Sequence, residues 1–304
     1  MNLRVVCIGE AMVELSLGQS NDPNAQVGFA GDTLNTAIYL KRAAPQLQIE
    51  YATKLGTDAF SERMINMMRD EDLGVDLIKR DEAREPGLYA ITTDDHGERS
   101  FSYWRSASAA TQMLSGQSID LDEMMKADVV YASAISVAIL PSEDRTRFLD
   151  WVKSYRAQGG RFAFDSNYRP RLWENQTQAQ DTIKAFWNQA DIGLPSVDDE
   201  QAIYGDADSD AVIARLNNWG VRSGALKRGS QGPAALDGSA APDCQPADKV
   251  VDSTAAGDSF NAGYLGALLT GAEHSDCLCA GHEMAKKVIG HRGALLPRPD
   301  KKQA

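Results

Sequence analysis

Between Val251 and Leu269 the chain reads VDSTAAGDSFNAGYLGALL. The small residues Ala255, Ala256 and Gly257 leave backbone amides bare where a helix is expected to begin. Amides at a helix N-terminus, reinforced by the helix dipole, form an anion hole suited to phosphate oxygens. Asp258 follows at once, so its carboxylate would lie between a phosphoryl group and the hydroxyl that receives it. Phosphoryl transfer needs in-line positioning, charge stabilisation and a late proton acceptor, and one loop could supply much of this. An aspartate with a pKa near ~3.9 cannot ionise a free alcohol beforehand, so Asp258 is expected to orient the hydroxyl and accept its proton late. Small residues could instead serve close helix packing, but that leaves Asp252 and Thr254 unexplained.

Other side chains could complete a site. The segment GLYAITTDDHGERSFSYWR offers Tyr89, Tyr103 and Arg105, and FDSNYRPRLW offers Asn167 and Arg169. Tyrosines give flat contact area and a hydroxyl. Two arginines converging on a cleft suggest a carboxylate, because the guanidinium fork matches its two oxygens. Taken singly, each arginine is more often a solvated or structural side chain than a ligand clamp.

The elements that would position these groups follow from periodicity. Leu3 to Ile8 is a buried central strand ended by Gly9. Thr33–Arg42 and Ser61–Leu73 have helical character. Gly87 to Arg105 reads as a β-hairpin turning at Asp94–Gly97, and Glu14 to Phe29 could add short strands. From Asp128 onward strands (DVVYAS, RFAFDSN, DIGLPS, GALKRG) alternate with helices near Ser142–Gln158, Thr177–Asn188 and beyond Val197. That alternation implies parallel βαβ units in a doubly wound α/β sheet. With no repeat or linker visible, residues 1–304 form one domain, into which a small β-lid is inserted from about 12–30 and 86–107.

Composition excludes several classes. Hydrophobic residues make up 43% of the 304 and charged residues 24%, as in an ordinary globular enzyme. A formal charge of −12 argues against nucleic acid as a partner. It also means that an acidic ligand would need arginines acting locally against the overall field. Cys7, Cys244, Cys277 and Cys279 fit neither a disulfide framework nor a zinc site. The apolar run at the start stops at Glu10, and Val129–Leu140 is shorter than the roughly 18 residues of a spanning helix. The expectation is a cytoplasmic protein without a membrane partner. No G-x-G-x-x-G follows the first strand, which argues against dinucleotide binding, and no G-x-x-x-x-G-K-[ST] occurs, which excludes a Walker-type ATPase. His282–Glu283 lacks the second histidine of H-E-x-x-H.

The Val251–Leu269 segment resembles the D-T-x-G-A-G-D signature of the ribokinase-like (PfkB) carbohydrate kinase family, with Ser253–Thr254 before the core and Ala255 where glycine is usual. At negative φ an alanine would donate its N–H equally well. VVCIGE resembles the family's first strand, AGDTLNTAIYLKR its sugar-binding segment, KLGTDAFSERM its G-x-D-x-x-G region, and LKRGSQG its nucleotide loop. The resemblance implies a ribokinase-like fold with ATP and Mg2+ as cofactors. It places Gly31, Asp32 and Asn35 at sugar hydroxyls, and Lys227, Gly229, Gly232 and the 255–257 amides at the nucleotide. His291 would pass near the adenine, although a generic C-terminal helix and loop is an equally fair reading of that stretch. Ser196 and Asp199 fall where the family carries N-x-x-E, so Asp199 could orient magnesium-bound water, although a plain helix carboxylate would look the same. YWRSASAA and NYRPRLW resemble the family's 2-keto-3-deoxygluconate kinase branch. That implies phosphorylation of the terminal hydroxyl of a keto-deoxy sugar acid, faced by Gly31, Tyr89, Tyr103, Arg105, Ile135 and Arg169. A kinase of a neutral sugar, and a sugar-binding protein without activity, are the alternatives. A homodimer or higher homo-oligomer is expected by analogy.

Overall fold

The computed structural model describes residues 3–17, 24–93 and 99–298. The expected hairpin turn at Asp94–Gly97 lies outside them. Along the chain run β1 (Arg4–Ile8), β2 (Met12–Leu17), β3 (Ala25–Ala30), α1 (Asp32–Ala43), β4 (Gln48–Leu55), α2 (Ala59–Asp70), β5 (Ile78–Arg80), β6 (Gly87–Thr93) and β7 (Arg99–Trp104). Then come α3 (Leu121–Met124), β8 (Val129–Ser133), α4 (Ala134–Ala138), α5 (Ser142–Ala157), β9 (Arg161–Asp165), α6 (Gln176–Trp187), β10 (Ile192–Gly193), α7 (Val197–Tyr204) and α8 (Ser209–Asn218). The last elements are β11 (Ala225–Leu226), β12 (Ala234–Ala235), α9 (Ala256–Leu269) and α10 (His274–Ile289).

The main sheet has the order β10-β9-β8-β1-β4-β5, and its pairings are parallel. Val5 to Ile8 are wholly buried because helices cover both faces of this central strand. One apolar cluster joins α1, α9 and α10 to the sheet; another joins α5 and α6 to its opposite face. DIGLPS and GALKRG, expected as strands, form only the two-residue strands Ile192–Gly193 and Ala225–Leu226, joined to each other by the isolated bridges Gly193–Gly224 and Ser196–Lys227.

A second sheet, ordered β3-β2-β6-β7, forms the lid. Its antiparallel hairpins β2–β3 and β6–β7 are joined by the parallel pair β2–β6, which brings together segments some seventy residues apart. The helix after Gly56 starts earlier than periodicity suggests, because Asp58 caps it, accepting from the amides of Phe60 (2.8 Å) and Ser61 (3.1 Å). Ser61, standing where glycine is usual, donates its hydroxyl to the same carboxylate. In α9 the small residues do serve close packing at Gly263, where a Cβ would run into the Ala280 carbonyl of α10. No helix among the described residues is long and apolar enough to cross a membrane, and the four cysteines are free thiols.

Candidate active site

The loop before α9 is shaped by Asp252. One carboxylate oxygen accepts from the Thr254 amide (3.0 Å) and hydroxyl (2.7 Å), and the other accepts from the Gly293 amide (2.7 Å). This ties the start of α9 to the loop after α10 and accounts for both upstream polar residues. Two details depart from expectation. Ala255 has φ 61, the left-handed region, where glycine is the low-cost residue. The amide of Ala256 is turned back onto the Ser253 carbonyl at 3.2 Å, so the anion hole falls to the amides around it. Ala255→Gly should therefore leave activity intact and gain up to about 1 kcal/mol in urea unfolding, the left-handed strain less the entropy of glycine. A loss of stability would contradict the backbone assignment.

Asp258 sits in the first turn of α9, and its Oδ2 accepts from Asn35 Nδ2 at 2.8 Å. Asn35 projects from α1, whose N-cap Gly31 lies so close to the segment between β1 and β2 that a Cβ there would run into the Glu10 carbonyl. Burial, and then the neighbouring charge of Asp32, push the Asp258 carboxyl up to about 8, against the lowering bond from Asn35. The expectation of an ordinary carboxylate is thus corrected: Asp258 is a stronger base than a solvated aspartate. Only its ionised form can take a proton, so kcat/KM should rise with pH along an acidic limb near 8. Asn35→Ala, which removes a bond favouring the charged form, should move that limb higher. A wild-type limb below pH 6 would contradict this account.

Lys227 does not simply line the nucleotide loop. Its Nζ donates to Asp165 Oδ2 (2.7 Å) at the end of β9 and to Asn261 Oδ1 (3.0 Å) in α9. A Cβ built on Gly257 would lie 3.6 Å from that nitrogen, so the ammonium reaches the start of α9. Asn261 also donates to Asp165 Oδ2 (2.5 Å) and to the Tyr131 hydroxyl (3.0 Å). Sequence reasoning passed over Asp165 and Asn261. The signal was there: a buried aspartate ends an apolar strand, and a buried amide lies one turn beyond Asp258 on a small-residue helix. The rest of the loop curls through a 3-10 turn at Gly229–Gln231, with Gly229 at φ 56 and Gly232 at φ 71.

The sugar-facing candidates gather around Asp32. Its Oδ2 accepts from Asn167 Nδ2 at 2.9 Å and from the Ser133 hydroxyl at the end of β8. Ile135 follows in α4 and is 9% exposed. In the lid, Tyr89 and Tyr103 are cross-strand partners with ring centroids 5.8 Å apart. The Tyr89 hydroxyl donates to Glu14. Tyr89 and Met12, with the partly buried Phe101 and Ala255, form one apolar cluster, so this lid face meets the start of α9.

The two arginines do not stand free. Arg105 Nη2 pairs with the buried Glu10, which also accepts from the Ser108 hydroxyl (2.5 Å). Arg169 Nη1 lies 3.4 Å from Asp199 Oδ1. Asp199 is in turn held by the Ser196 hydroxyl (2.7 Å) at the N-cap of α7, and burial raises its carboxyl above the ordinary value. The guanidinium beside it makes Asp199 a weaker candidate for metal-bound water than its position alone suggests. His291 is exposed, with Nδ1 2.9 Å from the Lys287 carbonyl, which places it on the loop that Asp252 anchors.

Known proteins share this fold. Residues 2–301 match the pfkB family carbohydrate kinase profile. The 2-dehydro-3-deoxygluconokinase of Escherichia coli K12 is 41% identical over 307 residues, covering 98% of each chain. Among solved structures, the 2-dehydro-3-deoxygluconokinase of Thermotoga maritima superposes with a TM-score of 0.82 at 19% identity, over 98% of this chain and 97% of that one. An E. coli protein assigned as ribokinase II, in complex with ATP and Mg2+, superposes at 0.83 and 20% identity, over 97% and 94%. With a family match over almost its whole length and a relative well above 30% identity, this chain belongs to the pfkB family of carbohydrate kinases.

Proposed function

We propose that the protein transfers the γ-phosphoryl group of ATP to the terminal hydroxyl of 2-dehydro-3-deoxy-D-gluconate, yielding the 6-phosphate. The observation that carries the reading is Asp258, held by Asn35 at the start of α9 with Lys227 reaching the same turn. The 41% identity to a 2-dehydro-3-deoxygluconokinase names the substrate.

ATP lies over the Lys227–Gly232 loop, bounded by Gly229, Ser196 and His291, with its phosphates directed at the amides around Ala255, Ala256 and Gly257. The sugar acid lies beneath the lid against Gly31, Asp32, Asn35, Ile135 and Asn167, with Tyr89 and Tyr103 above it. Arg105 and Arg169 face its carboxylate. Asp258 accepts a hydrogen bond from the terminal hydroxyl and takes its proton as the phosphoryl group moves, while Lys227 and the α9 dipole stabilise the charge on the equatorial oxygens.

Among the described residues no group of three or more His, Cys, Asp or Glu could hold a metal ion. One carboxylate acting with substrate phosphates is the ordinary way Mg2+ is held, and Asp199 fits that role once Arg169 turns to the substrate. Bound with ATP, the ion would neutralise charge on the β- and γ-phosphates. The setting is cytoplasmic, where ATP is supplied, and a homodimer through the lid is proposed by analogy. Sedimentation as a single monomeric species would contradict the dimer.

The prior pairing of Arg105 with Glu10 and of Arg169 with Asp199 is the observation that favours the second reading, a kinase of a neutral sugar, which offers them no carboxylate. Phosphorus and carbon NMR of the reaction mixture tests the assignment. Phosphorus coupled to C6 of the sugar acid is expected; phosphate on another carbon, or release of inorganic phosphate alone, would overturn it.

A further inference from the structure

Arg105 and Arg169, proposed above to face the substrate carboxylate, each have a counter-charge already beside them. Arg171, two residues beyond Arg169, does not. It lies in the 3-10 turn Pro170–Leu172 that follows β9, is exposed, and among the described residues has no carboxylate within ion-pairing distance. Its guanidinium lies over the ring of Tyr103, 5.5 Å from the centroid. Tyr103 is 43% exposed on β7, tilted against Tyr89 and stacked on Phe101 with centroids 6.4 Å apart. Tyr89 belongs to the apolar cluster against which Phe101 and Ala255 pack, so the ring under Arg171 borders the lid face that meets the start of α9. One exposed arginine therefore bridges a loop of the main sheet to the lid.

We propose that Arg171 determines substrate specificity: it latches the lid through Tyr103 and presents the uncompensated positive charge that a substrate carboxylate meets. The inference rests on the sugar-acid reading above. A cation over an exposed aromatic face is a weak contact, so it holds the lid without preventing it from opening. The guanidinium edge left free by stacking keeps donors for a carboxylate. In a chain of net charge −12, an unneutralised cation at the cleft matters more for an acidic ligand than two that are already paired.

Steady-state kinetics of the full chain and of Arg171→Met, Arg171→Lys and Tyr103→Leu, varying the sugar acid and MgATP separately, test this. Arg171→Met should raise KM for 2-dehydro-3-deoxy-D-gluconate by roughly 10- to 100-fold, the range for a lost charge-assisted contact, with KM for MgATP and Tm unchanged. Arg171→Lys should recover part of the loss, and Tyr103→Leu should reproduce part of it. Added NaCl should raise the wild-type KM for the acid and leave that of Arg171→Met nearly flat. An unchanged KM in Arg171→Met, or an equal rise for MgATP, overturns the proposal while the sugar-acid reading stands. A wild-type protein that does not turn over the acid sinks both.

Discussion

Asp258→Asn is expected to lower kcat by roughly 10²–10⁴-fold and, at the same time, to make the folded protein more stable at alkaline pH. Both effects come from one fact: burial and the charge of Asp32 raise the carboxyl well above its ordinary range. The raised value makes Asp258 a better proton acceptor. It also means that the folded state keeps a proton which the unfolded chain, titrating near ~3.9, has already released. Between those two values the folded state binds more protons, so stability falls as pH rises, and the loss is complete above the folded value. Asparagine carries no charge to bury and can still accept from Asn35. Thermal unfolding at pH 4 and at pH 8.5 should show a Tm advantage for the variant that is near zero at the first and clear at the second. Equal Tm values at both pH values would mean that Asp258 is not held at a raised pKa.

The second large effect is expected at Lys227. Its side chain is 11% exposed and that of its partner Asp165 is 3% exposed. Lys227→Met should cost about 3–5 kcal/mol of stability, because a buried carboxylate loses its counter-charge. Loss of a cation at the phosphoryl site should also lower kcat by roughly 10²–10³-fold, the range for removing one transition-state donor. The two losses separate in Lys227→Met/Asp165→Asn, where the neutral partner removes the stranded charge. Urea unfolding should recover most of the stability while activity stays low. A double variant as unstable as the single one would show that packing, not charge, holds this corner.

Much of the architecture could be read from the sequence, because it is local. The almost wholly apolar β1, the alternation after Asp128 and the small-residue run before Asp258 each carry their own local pattern. What escaped was set by long-range pairing. The parallel register of β2 on β6 leaves no mark in either strand. Asn35 and Asp258 meet across 223 residues, and Lys227 and Asp165 across 62. The carboxylates that occupy Arg105 and Arg169 come from the segment after β1 and from α7, so two arginines expected at a substrate carboxylate are both paired within the chain. The left-handed Ala255 was hidden for a different reason. Side-chain identity suggested negative φ, and the turn imposed by Asp252 overrode it.

The most direct test of the account is kcat/KM by ATP consumption with Mg2+, measured in parallel on 2-dehydro-3-deoxy-D-gluconate, gluconate, fructose and ribose. The account predicts turnover confined to the keto-deoxy acid and nearly abolished in Asp258→Asn. Faster turnover of fructose or ribose, or activity that survives Asp258→Asn, would contradict it.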